Sequence, residues 1–477
     1  MTRFFYSLLF HSAQPLIWLR LLWRARRQPA YLRHLGERYG FHKIAPPKPL
    51  FWLHAVSVGE TRAAHPLIAA LLAAYPRHAL LLTHMTPTGR EAGEAMIREI
   101  ENEVEGAGQR IFQSYLPYDL PGATARFFAH FQPELGLIME TEVWPNLLAA
   151  AKKRGIPVCL VNARLSPRSQ GGYRRLGALA RDAFARFAAV AAQTDADAGR
   201  LAALGAENVE VCGNLKFDAA PPQELLERGR KWRREWHETH PEGASKRLIW
   251  LAASTREGEE EIVLDALLAL PIQERPLLLL VPRHPQRFAE AEKRAAARGL
   301  KVARRSADTL ALQIARQFAA AHDLKVKQYG AGSAPPPETD VWLGDSMGEM
   351  PAYYACADFA LIGGSLLPFG GQNLIEAAAC ACPALVGEHT FNFAQAAEDA
   401  IQSGAARRIS PSGIEALPQS LLRAIQPLLS DPAQRAAMSA SALIFSAAHR
   451  GAAQRILALI GKQIPASGRD DRAVKQE

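Results

Sequence analysis

Two stretches of the chain gather, at short spacing, residue types that do chemistry. In "LIGGSLLPFGGQNLIEAA" (residues 361–378) an apolar run ends in Gly363, Gly364 and Ser365. A loop then carries Phe369, Gly370, Gly371, Gln372 and Asn373, and a helical pattern follows with Glu376 in its first turns. Glycines let backbone N–H groups approach an anion, and a helix N-terminus favours negative charge, so the pattern points to a phosphate. Glu376 is placed to accept hydrogen bonds from ribose hydroxyls. Two Gly-Gly pairs before one helix exceed what a tight turn requires. In "WLHAVSVGE" (52–60) Glu60 stands where an apolar strand passes into a helix. The helix dipole favours a carboxylate there by a few tenths to about 1 kcal/mol. The residues alone leave open whether Glu60 only complements that dipole or also acts as a base.

Other groups sit at the same kind of place. "LLLLVPRHPQRF" delivers Arg283, a rigid fork for phosphate or carboxylate, after a very apolar strand. "WLGDSMGEM" (342–350) delivers Gly344, Asp345, Ser346, Met347, Gly348 and Glu349, although Asp and Ser are also ordinary helix caps. "LGLIMETEVWPN" brings Glu140 and Glu142, and "CGNLKFD" brings Asn214 and Lys216. Two carboxylates and a lysine around one cleft can supply a base and stabilise developing charge.

The elements that must hold these groups are legible from periodicity. Apolar runs of five to eight residues, such as "PLFWLHAV", "HALLLTH", "ELGLIM" and "IPVCLVNA", alternate with amphipathic helical patterns. Near-continuous apolar strands between helices predict an α/β fold with parallel sheets covered on both faces. We expect a first Rossmann-like doubly wound domain over 29–217, a polar, proline-bearing linker over 218–246 and a second Rossmann-like domain over 247–430. The second domain carries a polar insertion near 328–339. Helices over 431–461 and a disordered tail over 462–477 complete the chain. In such folds ligands bind at the carboxyl ends of strands, where every group named above falls.

Composition narrows the class. The chain of 477 residues is 48% hydrophobic and 22% charged, with five cysteines that mostly sit in apolar runs, as expected of a reducing compartment. Cys380 and Cys382 are too close for a zinc knuckle, and no clustered ligands complete a metal site, so no metal or other cofactor is expected. Residues 1–50 hold nine lysines and arginines against one acid, a net +8 of the chain's +9. This concentration argues against nucleic acid, whose binders spread basic charge over a folded surface. The basic residues instead follow "FFYSLLFHSAQPLIWLRLLWRARR". Residues 1–28 are therefore expected to be an uncleaved membrane anchor, spanning the bilayer or lying in its interface, with Arg24, Arg26 and Arg27 keeping the following chain cytoplasmic.

Taken in order, "GERYGF", "HAVSVGE", "YLPYDLPGA", "METEVWPN", "NARLSPRS", "GYRRLG", "GNLKFD", "STREGEE", "VPRHPQRF", "GDSMGEM" and "GGSLLPFGGQNLIEAA" resemble the 3-deoxy-D-manno-octulosonic acid (Kdo) transferases of lipopolysaccharide assembly, from about Gly36 to His389. The resemblance implies a GT-B glycosyltransferase that moves Kdo from CMP-Kdo onto the lipid A precursor lipid IVA, with inversion and without a metal, at the cytoplasmic face of the inner membrane. It implies Glu60 as general base, Glu140 and Lys216 as transition-state stabilisers, and Glu142 beside them. CMP would be held by Pro282, Arg283, Ser346, Met347, Gly348, Gly370, Gly371, Gln372, Asn373 and Glu376. Many members carry a histidine in the loop where this chain has Phe369 and Gln372. The number of Kdo units transferred is written in no motif. A nucleotide-sugar epimerase on the same scaffold, or a membrane-docked nucleotide-sugar-binding protein without chemistry, are the competing readings, since fold does not fix function.

Overall fold

The computed structural model describes residues 1–238, 247–306, 333–410 and 417–464. Most of the expected tail, the end of the expected linker and much of the polar insertion lie outside the described residues. The chain forms two compact units, one of residues 1–219 with 449–477 and one of residues 220–448.

The first unit is built on seven strands: β1 (Leu50–His54), β2 (Ala79–His84), β3 (Ile111–Tyr115), β4 (Leu135–Met139), β5 (Val158–Ala163), β6 (Ala189–Ala192) and β7 (Val209–Val211). They pair in parallel in the order β3-β2-β1-β4-β5-β6-β7. All five residues of β1 are buried. Phe51 and Leu53 enter the core on one face, and Leu50 and Trp52 enter the core on the other. Burial on both faces explains the unbroken apolar run that marked this strand in the sequence.

The second unit repeats the plan with β8 (Ile249–Thr255), β9 (Leu277–Pro282), β10 (Val302–Arg304), β11 (Val341–Leu343), β12 (Phe359–Ile362), β13 (Ala384–Val386) and β14 (Ala406–Arg408). The order is β10-β11-β9-β8-β12-β13-β14, again all parallel. The helix Gln223–Glu238, inside the segment expected to link the domains, belongs to this unit. Trp232 and Trp236, four residues apart on one helix face, are fully buried, with Trp232 edge-to-face on Trp342 at 5.3 Å. That apolar stripe is what draws a sequence otherwise rich in charge into the second unit.

The helix Ala452–Gly461 returns to the first unit, where Ile456, Leu459 and Ile460 share a core with Leu67 and Leu71 of the helix Val58–Ala74. Asp218 fixes the return by accepting hydrogen bonds from Gly451 N and Ala453 N, both at 2.6 Å.

The amino terminus corrects one expectation. Residues 4–23 do not form a single bilayer-length helix, and among the described residues no helix is long and apolar enough to cross a membrane. Two shorter helices, Arg3–Ser12 and Gln14–Ala25, meet at Ala13. Pro15 in the first turn of the second helix lacks an N–H and cannot continue the first helix's ladder. Gln14 seals the break by donating to Phe10 O at 3.1 Å while accepting from the Tyr39 hydroxyl at 3.0 Å.

Strand packing at β4 leaves no room for a side chain. A Cβ on Gly136 would lie 2.6 Å from the Trp52 ring and 3.2 Å from Val158. Gly136→Ala is expected to destabilise the first unit by about 1–3 kcal/mol through overpacking. Urea unfolding followed by tryptophan fluorescence would read this as a lowered midpoint, and an unchanged midpoint would mean that Trp52 moves aside freely.

Candidate active site

Both sheets reverse their winding at one place, between β1 and β4 in the first unit and between β8 and β12 in the second. Chains leaving two such strands travel to opposite faces, and a crevice opens at the strands' carboxyl ends. In the first unit β1 and β4 run level, with His54 paired to Ile138. Glu60 follows the first of these strands and Glu140 the second.

Glu60 occupies the third position of the helix Val58–Ala74. Ser57 caps that helix and accepts from Glu60 N at 3.3 Å. The Glu60 carboxylate reaches back to Val56 N at 2.7 Å and accepts from the Ser57 hydroxyl at 3.2 Å. This is a capping box displaced by one residue, because the return bond goes to the residue before the cap. Beneath it, the fully buried His84 bonds Ala55 O through Nδ1 at 3.1 Å and Gln113 through Nε2 at 2.9 Å, which fixes the loop between strand and helix. Burial pushes the Glu60 carboxyl up to about 7, and the negative charges of Glu140 and Glu142 push the same way. The hydrogen bonds from Val56 and Ser57 oppose the shift and are outweighed.

Glu140 sits in the left-handed region, at φ +57, a conformation that costs a non-glycine residue energy and is common where a side chain must be aimed. Its backbone stays tied to the sheet through Glu140 N and Val161 O at 3.0 Å. Arg164, just beyond β5, holds its carboxylate at 3.0 Å. Thr141 donates to Arg164 O, and the Tyr173 hydroxyl donates to Thr141 O at 3.3 Å, so the loop is held from both sides. Burial raises the Glu142 pKa, and Glu140 adds to the shift.

Lys216 lies in a short 3-10 turn, Leu215–Phe217. Asn214 caps Lys216 N at 3.0 Å, and Asn162, itself at φ +52, accepts from Leu215 N at 3.0 Å. Burial lowers the Lys216 pKa, while the charges of Glu140 and Glu60 counter it. Glu60, Glu140, Glu142, Lys216 and Arg164 thus form one electrostatic cluster at the switch point, three acids against two bases.

In the second unit Arg283 follows β9 and donates to Gln372 at 3.2 Å, which joins two of the predicted nucleotide groups. Gly370 and Gly371 have φ of +91 and +76, so the loop needs glycine at both. A Cβ on Gly370 would meet Phe391 at 2.4 Å. The N–H groups of Gly371 and Gln372 donate to the carbonyls of Gly364 and Gly363 at 2.7 and 2.9 Å. They close the loop on itself instead of pointing to an anion. Asn373 caps the following helix, Leu374–Ala379, which has only six residues and a correspondingly small dipole. Glu376 lies in its first turn. Ser346 bonds Glu349 and shares a 2.6 Å contact with the Tyr353 hydroxyl, and Glu349 pairs with Arg228 at 2.7 Å and Arg305 at 3.0 Å. Pro282 ends β9, Met347 is exposed, and Gly348 has φ +85.

Residues 33–219 match the family described as 3-Deoxy-D-manno-octulosonic-acid transferase (kdotransferase). The 3-deoxy-D-manno-octulosonic acid transferase of Bordetella pertussis is 46% identical over 468 residues, covering 96% of this chain and 98% of the relative. The chain belongs to the Kdo transferase family. The Haemophilus influenzae member is 35% identical over 466 residues, covering 96% and 98% of the two chains. Among solved structures, a glycosyltransferase from Rickettsia africae superposes with TM-score 0.54 at 12% identity, covering 90% of this chain and all of that one. The UDP-GlcNAc 2-epimerase of Neisseria meningitidis gives 0.53 at 15% identity, covering 87% and 99%. At those identities the likeness is one of fold, the GT-B pairing of two Rossmann-like units, and it is shared by transferases and epimerases. The sequence relatives make this chain a glycosyltransferase.

Sequence reasoning passed over two groups of this Kdo transferase family member. Arg164, in "NARLSPRS", directly follows the end of β5. Glu259 and Glu260 lie in "STREGEE", again just after a strand, and both are fully buried. The strand-end rule applied to every strand would have raised all three.

The charge balance around Glu60 makes a checkable prediction. Glu140→Gln and Glu142→Gln each remove a negative neighbour, so each should lower the Glu60 pKa from about 7. Infrared difference titration of the carboxyl band, with Glu60→Gln as the blank, would follow it. A Glu60 that titrates in the ordinary carboxylate range in the unmodified protein would contradict the burial described here.

Proposed function

We propose that this transferase moves Kdo from CMP-Kdo to a glucosamine hydroxyl of the lipid A precursor lipid IVA, with inversion, in lipopolysaccharide biosynthesis. The observation that carries the reading is the Glu60 carboxylate. It is half-buried at the β1–β4 switch point, with a pKa near 7 and a lysine in the same cluster. A base is most useful when its pKa lies near the operating pH, because it is then both available and strong enough to accept the proton.

In this reading the Glu60 carboxylate takes the proton of the acceptor hydroxyl as that oxygen bonds to the anomeric carbon of Kdo. The bond from that carbon to the phosphate oxygen breaks, and CMP leaves with the electron pair. Lys216 and Glu140, with Glu142 beside them, stabilise the charge that develops around the reacting sugar. Arg164 keeps Glu140 aimed. In the second unit Arg283 meets the phosphate charge and Gln372 orients Arg283. Pro282, Ser346, Met347, Gly348, Gly370, Gly371 and Asn373 shape the CMP site, and Glu376 accepts from the ribose. Because the N–H groups of Gly371 and Gln372 are engaged within their own loop, phosphate stabilisation leans on Arg283.

Glu60→Gln should reduce transfer by at least about a hundredfold, within the usual worth of a general base, and leave CMP affinity close to that of the unmodified enzyme. The transfer rate should rise with pH through about 7, because only ionised Glu60 accepts a proton. Mixing the enzyme with CMP-Kdo and lipid IVA and resolving Kdo-bearing lipid by mass spectrometry tests both points and counts the Kdo units. Undiminished transfer by Glu60→Gln would remove the base assignment, and a freed sugar or epimer without lipid product would favour the epimerase reading.

The acceptor reading also gives the amino-terminal helices a task, docking in the interface of the inner membrane at its cytoplasmic face. Phe4, Phe5, Leu8, Leu9, Leu19 and Trp23 are exposed, and Arg20, Arg24, Arg26 and Arg27 lie among or just after them. Amphipathic helices of this composition bind by burying apolar area and attracting anionic headgroups, at about 1 kcal/mol per basic residue near the surface. Arg20→Glu combined with Arg24→Glu should weaken co-sedimentation with phosphatidylglycerol vesicles at least about tenfold at physiological salt, with CMP binding unchanged. Equal sedimentation of variant and parent would sink the docking role.

A further inference from the structure

The "STREGEE" segment has no place in the mechanism above, yet it carries two adjacent carboxylates with no exposure at all, Glu259 and Glu260. We propose that both are positioning residues for the nucleotide, each bracing one wall of the site in the second unit. The proposal rests on the reading of that unit as the CMP site.

Glu259 opens the helix Glu259–Leu268, directly after β8. One of its oxygens accepts from Gly364 N at 2.6 Å and from Arg256 N at 2.8 Å, and the other accepts from Leu366 N at 3.0 Å. A single carboxylate thus clamps the loop after β8 to the glycine loop after β12, across the switch point. The clamp propagates, because the Gly364 carbonyl accepts from Gly371 N, the Gly363 carbonyl accepts from Gln372 N, and the Gln372 side chain accepts from Arg283. Sterics reinforce it, since a Cβ on Gly363 would lie 2.5 Å from Ser254 O.

Glu260 braces the other wall. It accepts from the Thr255 hydroxyl at 3.0 Å and pairs with Arg287 at 3.0 Å. Arg287 ends the short turn Pro285–Arg287 that follows Arg283 and His284. Arg283 N also donates to Thr255 O at 2.9 Å, so the end of β8 anchors the loop that presents the phosphate-binding guanidinium.

Burying two carboxylates side by side is expensive, and apolar residues of similar size would fill the space at lower cost. What the carboxylates supply is geometry, because each fixes several loop donors at once, and a misplacement of about 1 Å in a binding group can cost up to about a hundredfold.

The test uses the full-length protein, CMP as the probe in calorimetry, and thermal unfolding in parallel. Glu259→Gln keeps the size but sets an NH2 group against a loop N–H, and Glu260→Gln loses the ion pair to Arg287. Each is expected to weaken CMP binding about tenfold or more, and in transfer assays to raise the donor KM while changing kcat much less. Glu261→Gln is the control. Its side chain pairs with Arg294 on the neighbouring helix, so it should lower stability without moving CMP affinity. Wild-type CMP affinity in folded Glu259→Gln and Glu260→Gln would overturn the proposal. Should Glu259→Gln not fold, Glu259→Asp retains the charge on a shorter arm. Several-fold weaker binding by the folded Asp variant supports the clamp, and unchanged binding overturns it. If the unmodified protein binds no CMP, the functional reading fails first and this inference falls with it, an outcome distinct from a variant that binds CMP as well as its parent.

Discussion

Everything chemical in either unit depends on one strand pairing, β1 beside β4 in the first sheet and β8 beside β12 in the second. Right-handed crossovers send the chain to one face after the first strand of each pair and to the other after the second. The backbone therefore parts at the strand tips and leaves a crevice into which polar residues can project without entering the core. Glu60 and Glu140 flank that crevice in the first unit, and Glu259 and the glycine loop flank it in the second. Between the tips and the core the sheets are dry, with every residue of β1, β2, β4 and β5 buried. A charge at the tips thus feels a lower dielectric than at the surface.

That position explains why Glu60 is both a cap and a titratable group near neutrality. A capping-box glutamate is ordinarily exposed and stays acidic, because its hydrogen bonds and the helix dipole favour the ionised form. Here the same bonds exist, but burial and two neighbouring carboxylates outweigh them. Lys216 feels the converse, as desolvation lowers its pKa and the acids around it offset only part of that shift. Neither group could be tuned alone. The strained backbone at Glu140 and the ion pair to Arg164 belong to the same balance, since they hold the acids close enough to be felt.

The sheet strands, their burial on both faces and the clustering of chemistry at strand ends were legible in the sequence, because a doubly wound parallel sheet writes its burial pattern as apolar runs punctuated by turn residues. The glycine loop was legible as a loop, but its internal hydrogen bonding was not. Nothing in "GGSLLPFGGQN" says that the N–H groups of Gly371 and Gln372 turn inward, for that depends on the facing carbonyls of Gly363 and Gly364. The amino terminus misled for a related reason. Composition over 20 residues reads as a span, whereas Pro15 breaks the ladder and Tyr39 and Gln14 stabilise the break.

By itself the sequence determined which residue types are present and the period at which they recur, and so it determined the α/β class, the strand tips and the candidates among them. The tertiary structure decided which candidates meet. Parallel order brings residue 60 beside 140 and residue 259 beside 364, separations that no local pattern encodes. It also decided the ionisation of Glu60, because a pKa follows from how many atoms and charges surround a group, and the carboxylates that push it up, Glu140 and Glu142, follow a different strand from its own.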